Sequence, residues 1–323
     1  MTDRMKTLCV GRFLIDLPAD AAVTLHGGLV AGFELACMPE SDEQFALRLA
    51  RMEAQVAAAQ DEQGRPSLEW EKALSLDSAQ GKVLVYNRQR GKAFVDGRLT
   101  EAEDVSVRGM LRLPHVSIAA EAHMQAPERG DELLRLFGRL RPLDEDEVPR
   151  ESGCCLGRAI VLDPYGNATT ESVAMVAGLP AHPDVRIVLS SVAGMPSRPG
   201  LLERHARAAQ REPLAVRHAF TTLRERRRAV NGLPGEELAM RVQEPNGTTG
   251  FSFHWQAAGT LDDTCAPLLT LALEAGVGPD DDADPVESSL SESGMTALWE
   301  GIVGSIRLRP ADVTGAALAA GAA

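Results

Sequence analysis

No stretch of this sequence approaches the ~18–20 uninterrupted apolar residues of a membrane-spanning helix. Cysteine is scarce: Cys9, Cys37, Cys154, Cys155 and Cys265 are the whole complement. The number is odd, two are adjacent, and no Cys-x-x-Cys or mixed Cys/His ligand spacing occurs. A disulfide framework or zinc site is therefore not expected, and small buried hydrophobes are the default for most of them. Positive charge is also in deficit, with 33 lysines and arginines against 46 aspartates and glutamates, a net charge of −13. That balance argues against nucleic acid, because phosphate binding needs clustered positive charge. It is compatible with a basic protein partner, although solubility alone accounts for it. The opening MTDRMKTLCVGRF has basic residues but neither the ~7–15-residue apolar core nor the small-residue cleavage site of a secretory signal. Cytoplasmic placement and a trimmed exported form both stay open.

Signatures of chemistry are missing too. There is no Gly-x-Ser-x-Gly elbow, Walker motif, Gly-x-Gly-x-x-Gly loop or His-Glu-x-x-His pair. His26-Gly27-Gly28 is similar to an esterase oxyanion loop, but a lone His-Gly-Gly is common and the segment reads as a turn between two early strands. The seven histidines (26, 115, 123, 182, 205, 218 and 254) are scattered, as surface or half-buried imidazoles usually are. Cys155 could serve as a nucleophile if its pKa were lowered. It occupies the same place in a repeated motif as Cys9, however, which favours packing. No catalytic, cofactor or metal-binding residue is assigned.

What the chain does contain is a repeat. Its 323 residues suggest two domains, since single cores stop growing near ~250–300 residues. Cys9-Val10-Gly11-Arg12 through Pro18 aligns without gaps on Cys155-Leu156-Gly157-Arg158 through Pro164. Leu35-Ala36-Cys37-Met38-Pro39 has its echo in Val192-Ala193-Gly194-Met195-Pro196. A helical pattern follows each: Phe45, Leu49, Met52 and Val56, behind a Ser41/Gln44 capping box, and more weakly Leu201, Leu202, His205 and Ala209. Both halves close on a helical stripe running into Arg-Leu-Arg-Pro, at 139–142 after Leu133 and Phe137 and at 307–310 after Leu298 and Ile302. Between these landmarks lie period-two segments, and Asn231-Gly232-Leu233-Pro234-Gly235 is a strong turn signal. The expected architecture is α+β: two similar domains, each an antiparallel sheet with helices packed on one face. The expected boundaries are 1–147 and 148–311, joined by the charged segment 144–153, with an alanine- and glycine-rich tail at 312–323.

Charge is uneven within the second half. Phe251 to Glu300 holds ten acidic residues and no lysine or arginine. Asp280, Asp281, Asp282, Asp284 and Glu287 form its densest loop. The sequence lacks the EF-hand pattern there, so the loop reads as a solvated rim or as a surface matched to a basic partner. Leu223-Arg224-Glu225-Arg226-Arg227-Arg228 is a basic run in an acidic protein. It reads as a charged edge that discourages strand pairing, or as an anion or partner contact.

Taken in order, CVGRFLIDLP, CCLGRAIVLDP, Val230–Glu237 and LWEGIVGSIRLRP resemble the two-domain immunity proteins that neutralise the fourth class of type VI secretion phospholipase effectors. The resemblance spans nearly the whole chain. It implies two α+β domains that clamp a cognate phospholipase effector and block substrate access, with no catalysis, no cofactor and a periplasmic location. The matching motifs look like fold residues, so no contact residues carry over, and the acidic loop is the partner-binding candidate. The alternatives are a two-domain hydrolase using Cys155 or a histidine, and a secretion adaptor that escorts an effector without silencing it.

Overall fold

The computed structural model describes residues 4–61, 63–76, 79–95, 97–164, 170–194, 199–211, 213–261, 263–279 and 283–310. The first half of the chain runs β1 (Met5–Val10), β2 (Phe13–Pro18), β3 (Ala22–Thr24), β4 (Gly27–Val30), β5 (Phe33–Met38) and α1 (Asp42–Ala58). It continues through β6 (Leu68–Leu76), β7 (Ala79–Val95), β8 (Arg98–Leu113), β9 (Val116–Gln125), α2 (Arg129–Phe137) and β10 (Leu140–Pro142). The second half runs β11 (Gly153–Cys155), β12 (Ala159–Leu162), β13 (Glu171–Leu179), β14 (His182–Val192), α3 (Leu201–Arg211) and α4 (Leu214–Ala219). It closes with β15 (Phe220–Arg227), β16 (Glu236–Gln243), β17 (Thr249–Ala257), β18 (Leu268–Ala275), α5 (Glu292–Val303) and β19 (Arg307–Leu308).

The repeat is a repeat of topology. In the first half the antiparallel order is β4-β5-β9-β8-β7-β6, and in the second it is β13-β14-β18-β17-β16-β15. Each sheet places its first two strands side by side, then its last, then runs back to its third. The compact units are nevertheless not the contiguous halves 1–147 and 148–311. One comprises His26–Glu145 with Ser152–Ala168; the other comprises Met1–Leu25, Asp146–Glu151 and Thr169–Ala323. The two opening hairpins have thus changed places. β1 and β2 form a three-stranded sheet with β19, the last strand of the chain, while β11 and β12 do so with β10.

The Cys-x-Gly-Arg motif is explained by these hairpins. Val10 pairs with Phe13, and between them Gly11 takes φ +58°, a backbone state that costs glycine little. Gly157 turns the second hairpin at φ +88°. Arg12 then forms a buried bidentate pair with Glu171, with a closest approach of 2.6 Å. The Arg-Leu-Arg-Pro segments do not terminate helices. Each helix ends before its segment, capped at Gly138 and at Gly304, and Leu140 and Leu308 lie in strands. The linker is not free either: Arg309, buried, donates to the carbonyls of Pro149, at 2.9 Å, and of Glu151.

The α+β class is as expected, but helices cover both faces of each sheet rather than one. Met110 packs with Leu84 and Tyr86 beneath Phe45, Met52 and Val56 of α1. Its neighbour Gly109 points the other way, toward α2, where a β-carbon would stand 2.9 Å from both Leu133 and Phe137. Adjacent strand residues face opposite sides, so α1 and α2 lie on opposite faces. The capping box on α1 forms as the sequence implies, with Ser41 and Gln44 bonding reciprocally. Leu133, Phe137, Leu298 and Ile302 are all buried. In the other unit α5 covers β17 and β18, stacking Trp299 on Phe253 with ring centroids 5.8 Å apart and planes tilted by 58°. On the opposite face α3 buries none of its residues, so that face is the less covered.

Cys9 and Cys155 are each disulfide-bonded, where the sequence pointed to no disulfide framework and to packing for most of the cysteines. Sequence spacing could not show this, because neither lies in a paired-cysteine motif. Among the described residues no helix is long and apolar enough to cross a membrane.

Candidate partner-binding surface

Of the five acidic residues singled out in the sequence, Asp280, Asp281 and Asp282 lie outside the described residues. Asp284 is exposed. Glu287, though exposed, accepts the Thr249 amide at 2.7 Å, so its charge also caps the start of β17. The loop carrying them is tethered at several points. Asp184 receives the Gly276 and Ser289 amides, each at 3.0 Å. Asn246 Nδ2 donates to the Pro285 carbonyl at 2.7 Å, and the Val286 amide to Gly276 at 3.1 Å. Burial alone would raise the Asp184 carboxyl; hydrogen bonds from Ser289 and the Gly276 amide outweigh it and hold the group below its ordinary range. A charged carboxylate thus fixes both ends of the acidic loop.

The loop forms one wall of a groove of about 660 Å³. Gly276, Gly278, Ala283 and Pro285 supply the wall, and Phe220, Val242 and Ser252 line it with the Arg186–Glu274 pair at 2.9 Å. The other unit has a groove of about 520 Å³ beside α1, where Ala36, Met52, Met110 and Ala119 meet Arg108 and Glu121. Both grooves lie on the sheet face opposite the closing helix, α5 in one unit and α2 in the other. They use the equivalent strands β14, β17 and β18 and β5, β8 and β9. The duplication therefore supplies two comparable recesses, each lined by charged groups of both signs.

The basic run is absorbed by the fold. After a register shift between Thr222 and Arg224, Arg224, Arg226 and Arg228 all reach the same side. There Glu237, whose side chain is fully buried, meets Arg226 at 2.5 Å, Arg228 at 2.8 Å and Arg224 at 3.5 Å. Trp299 Nε1 donates to the same carboxylate at 2.6 Å. Glu300 takes the outer arginine hydrogen bonds, including Arg228 at 2.6 Å. The run is therefore not offered as a single-sign patch. The turn after it, Asn231 at φ +46° and Gly232 at φ +86°, also secures α5: Asn231 Nδ2 donates to the Gly304 and Ile306 carbonyls at 2.9 and 2.7 Å.

Catalytic constellations fare poorly. Cys155 is buried and disulfide-bonded, so its sulfur is not a free nucleophile. Burial pushes the Cys37 thiol up to about 12. Ser252 and His254, two apart on β17, share a 2.8 Å hydrogen bond that the sequence reading did not single out. Burial lowers the His254 pKa, favouring neutral imidazole. An activated nucleophile also needs a third group to orient the base, and Glu274, facing the same recess, is engaged with Arg186. Among the described residues no cluster of three or more metal-ligating side chains occurs.

Among the described residues the surface thus offers two recesses and paired charge. The family profile for the C-terminal domain of Tle cognate immunity protein 4 matches residues 147–311, and that for its N-terminal domain matches residues 6–98. The apo structure of TplEi, an immunity protein of the type VI secretion system of Pseudomonas aeruginosa, has 22% identity and a TM-score of 0.76; the match covers 97% of this chain and 100% of TplEi. A chain in the crystal structure of the Tle4–Tli4 complex has 24% identity and a TM-score of 0.75, covering 95% of this chain and 98% of its own. TplEi complexed with an "L" peptide gives a TM-score of 0.71 at 22% identity, covering 96% and 100%. At such identities these likenesses show a shared fold. No curated protein matches the chain. With both domains matched, in order and over more than half its length, this chain belongs to the family of Tle cognate immunity protein 4.

Proposed function

We propose that this protein binds and inhibits a cognate type VI secretion phospholipase effector, engaging it with both units and blocking substrate access. The observation that carries the reading is the pair of family matches, at 6–98 and 147–311. The duplicated topology supports a two-point grip: once one unit is engaged, the second contact becomes intramolecular and raises avidity by ~10²–10⁴ where geometry allows. The protein itself turns over no lipid; the bonded Cys155 and the His254 environment support that part of the reading. A periplasmic location is supported by the disulfide-bonded state of Cys9 and Cys155, since such bonds persist in oxidising compartments.

The acidic loop, comprising Asp280, Asp281, Asp282, Asp284 and Glu287, steers association. Exposed charges act mainly on the on-rate and are screened beyond ~8–10 Å at physiological salt. Association of the intact protein with the purified cognate effector, at low and high salt, is the test. Neutralising the five residues to amides is expected to slow association and flatten its salt dependence, leaving dissociation nearly unchanged. If the variant associates like the parent at low salt, steering is wrong. If the parent does not associate at all, the whole reading fails. Association without loss of lipase activity would make the protein an adaptor.

A further inference from the structure

Two strands of the first sheet are far longer than their neighbours. β6 reaches along β7 only as far as the Leu68–Tyr86 pair, and β9 reaches along β8 only to the Val105–Gln125 pair. Beyond those points Gln89–Val95 and Arg98–Asp104 pair only with each other among the named strands. At ~3.3 Å per residue this two-stranded arm extends about 20 Å past the sheet. Its root is fixed. Asn87 adopts φ +57° at a register shift, its amide donates to Ser67 O at 3.0 Å, and Arg88 bridges Glu69 and Glu103, each at 2.5 Å.

The arm's composition changes along its length. On the shaft, Arg90 faces Glu103 at 2.8 Å and Lys92 is registered opposite Glu101. These pairs balance charge and discourage edge-to-edge aggregation. At the tip, Phe94 and Leu99 stand directly opposite one another, and they are 76% and 59% exposed. They share a face with the shaft pairs. The other face carries Gly91, around which a β-carbon would meet nothing within 4 Å.

A two-stranded ribbon is marginal by itself, and an exposed aromatic–aliphatic pair at its tip adds nothing to this domain's core. Aromatic side chains are enriched at the cores of protein–protein interfaces, and burying this exposed pair against a partner removes its apolar surface from water. We propose that the β7–β8 arm is an insertion element for the effector, its Phe94/Leu99 tip seated in an apolar recess of the lipase. The inference rests on the functional reading above, which supplies the partner. The partner's chemistry fits, because an enzyme that takes up phospholipid must present an apolar entrance to acyl chains. The charge-balanced shaft leaves apolar contact, rather than charge, as the recognition element.

The test compares the full-length parent with the double variant Phe94→Ser/Leu99→Ser. Affinity for the purified effector, thermal midpoint and the mass of the free protein in solution are measured. Both side chains are solvent-exposed, so the midpoint should not move. Affinity should fall at least ~30-fold, the loss expected of a central hot spot, and Phe94→Tyr with Leu99 retained should recover most of it. Binding of the double variant within about threefold of the parent overturns the proposal. So does a free parent dimer that the double variant dissociates, since the tip would then belong to a second copy. A parent that does not bind the effector at all removes the functional reading first, and the arm's role with it.

Discussion

Glu237 shows how far one residue can organise its surroundings. It lies fully buried beneath three arginines and an indole N–H. Burial alone would raise its pKa; hydrogen bonds from Arg226 and Trp299, with the charge of Arg228, more than compensate and hold the carboxyl below its ordinary value near 4.5. A group with a depressed folded-state pKa contributes stability that is full above that ordinary value and is lost as pH falls through the lowered one. Glu237→Gln keeps the shape but leaves buried positive charge uncompensated. It should cost about 3 kcal/mol at neutral pH, and the gap from the parent should narrow as pH drops below 4.5. Denaturant midpoints at neutral and acid pH check this; a gap unchanged across the range would mean the carboxylate's charge is not what matters. The sequence offered this site only as a basic run. Its acidic counterparts stand 9 and 72 residues from Arg228, which no local pattern reveals.

At the level of elements, period and capping were legible where one face is buried. α1 showed its box and its Phe45, Met52 and Val56 stripe, and α2 and α5 showed their stripes, because a core that must be filled imposes spacing. The Arg-Leu-Arg-Pro segments misled, since an apolar residue one turn beyond a helix continues its stripe whether or not the backbone does. Leu140 fits the stripe of Leu133 and Phe137, yet it lies past Gly138 and pairs with Val161. The β7–β8 arm left no core signal because it has no core to face. For α2, burial of Phe137 against Gly109 predicts that Phe137→Ala costs ~3–5 kcal/mol, read as a lowered denaturation midpoint. No change would place the helix outside the fold's stability. Gly109 is the complementary half of that packing: only a residue without a side chain leaves room for the ring.

For the whole molecule, the repeat announced two similar sheets but not the exchange of their opening hairpins. Motif alignment compares segments with segments and is blind to which unit each segment joins. One consequence is practical. Cutting at 147/148 would separate each sheet from the hairpin counted in its own compact unit, so the function must be tested on the intact chain. The measurement that bears most directly on it is the phospholipase rate of the purified cognate effector, titrated with this protein at concentrations well above the dissociation constant. An inhibitor that occupies its partner should bring the rate linearly to zero at one equivalent, and the protein alone should hydrolyse no lipid above buffer. An effector whose rate is unchanged at tenfold excess, or lipid turnover by this chain itself, would contradict the account.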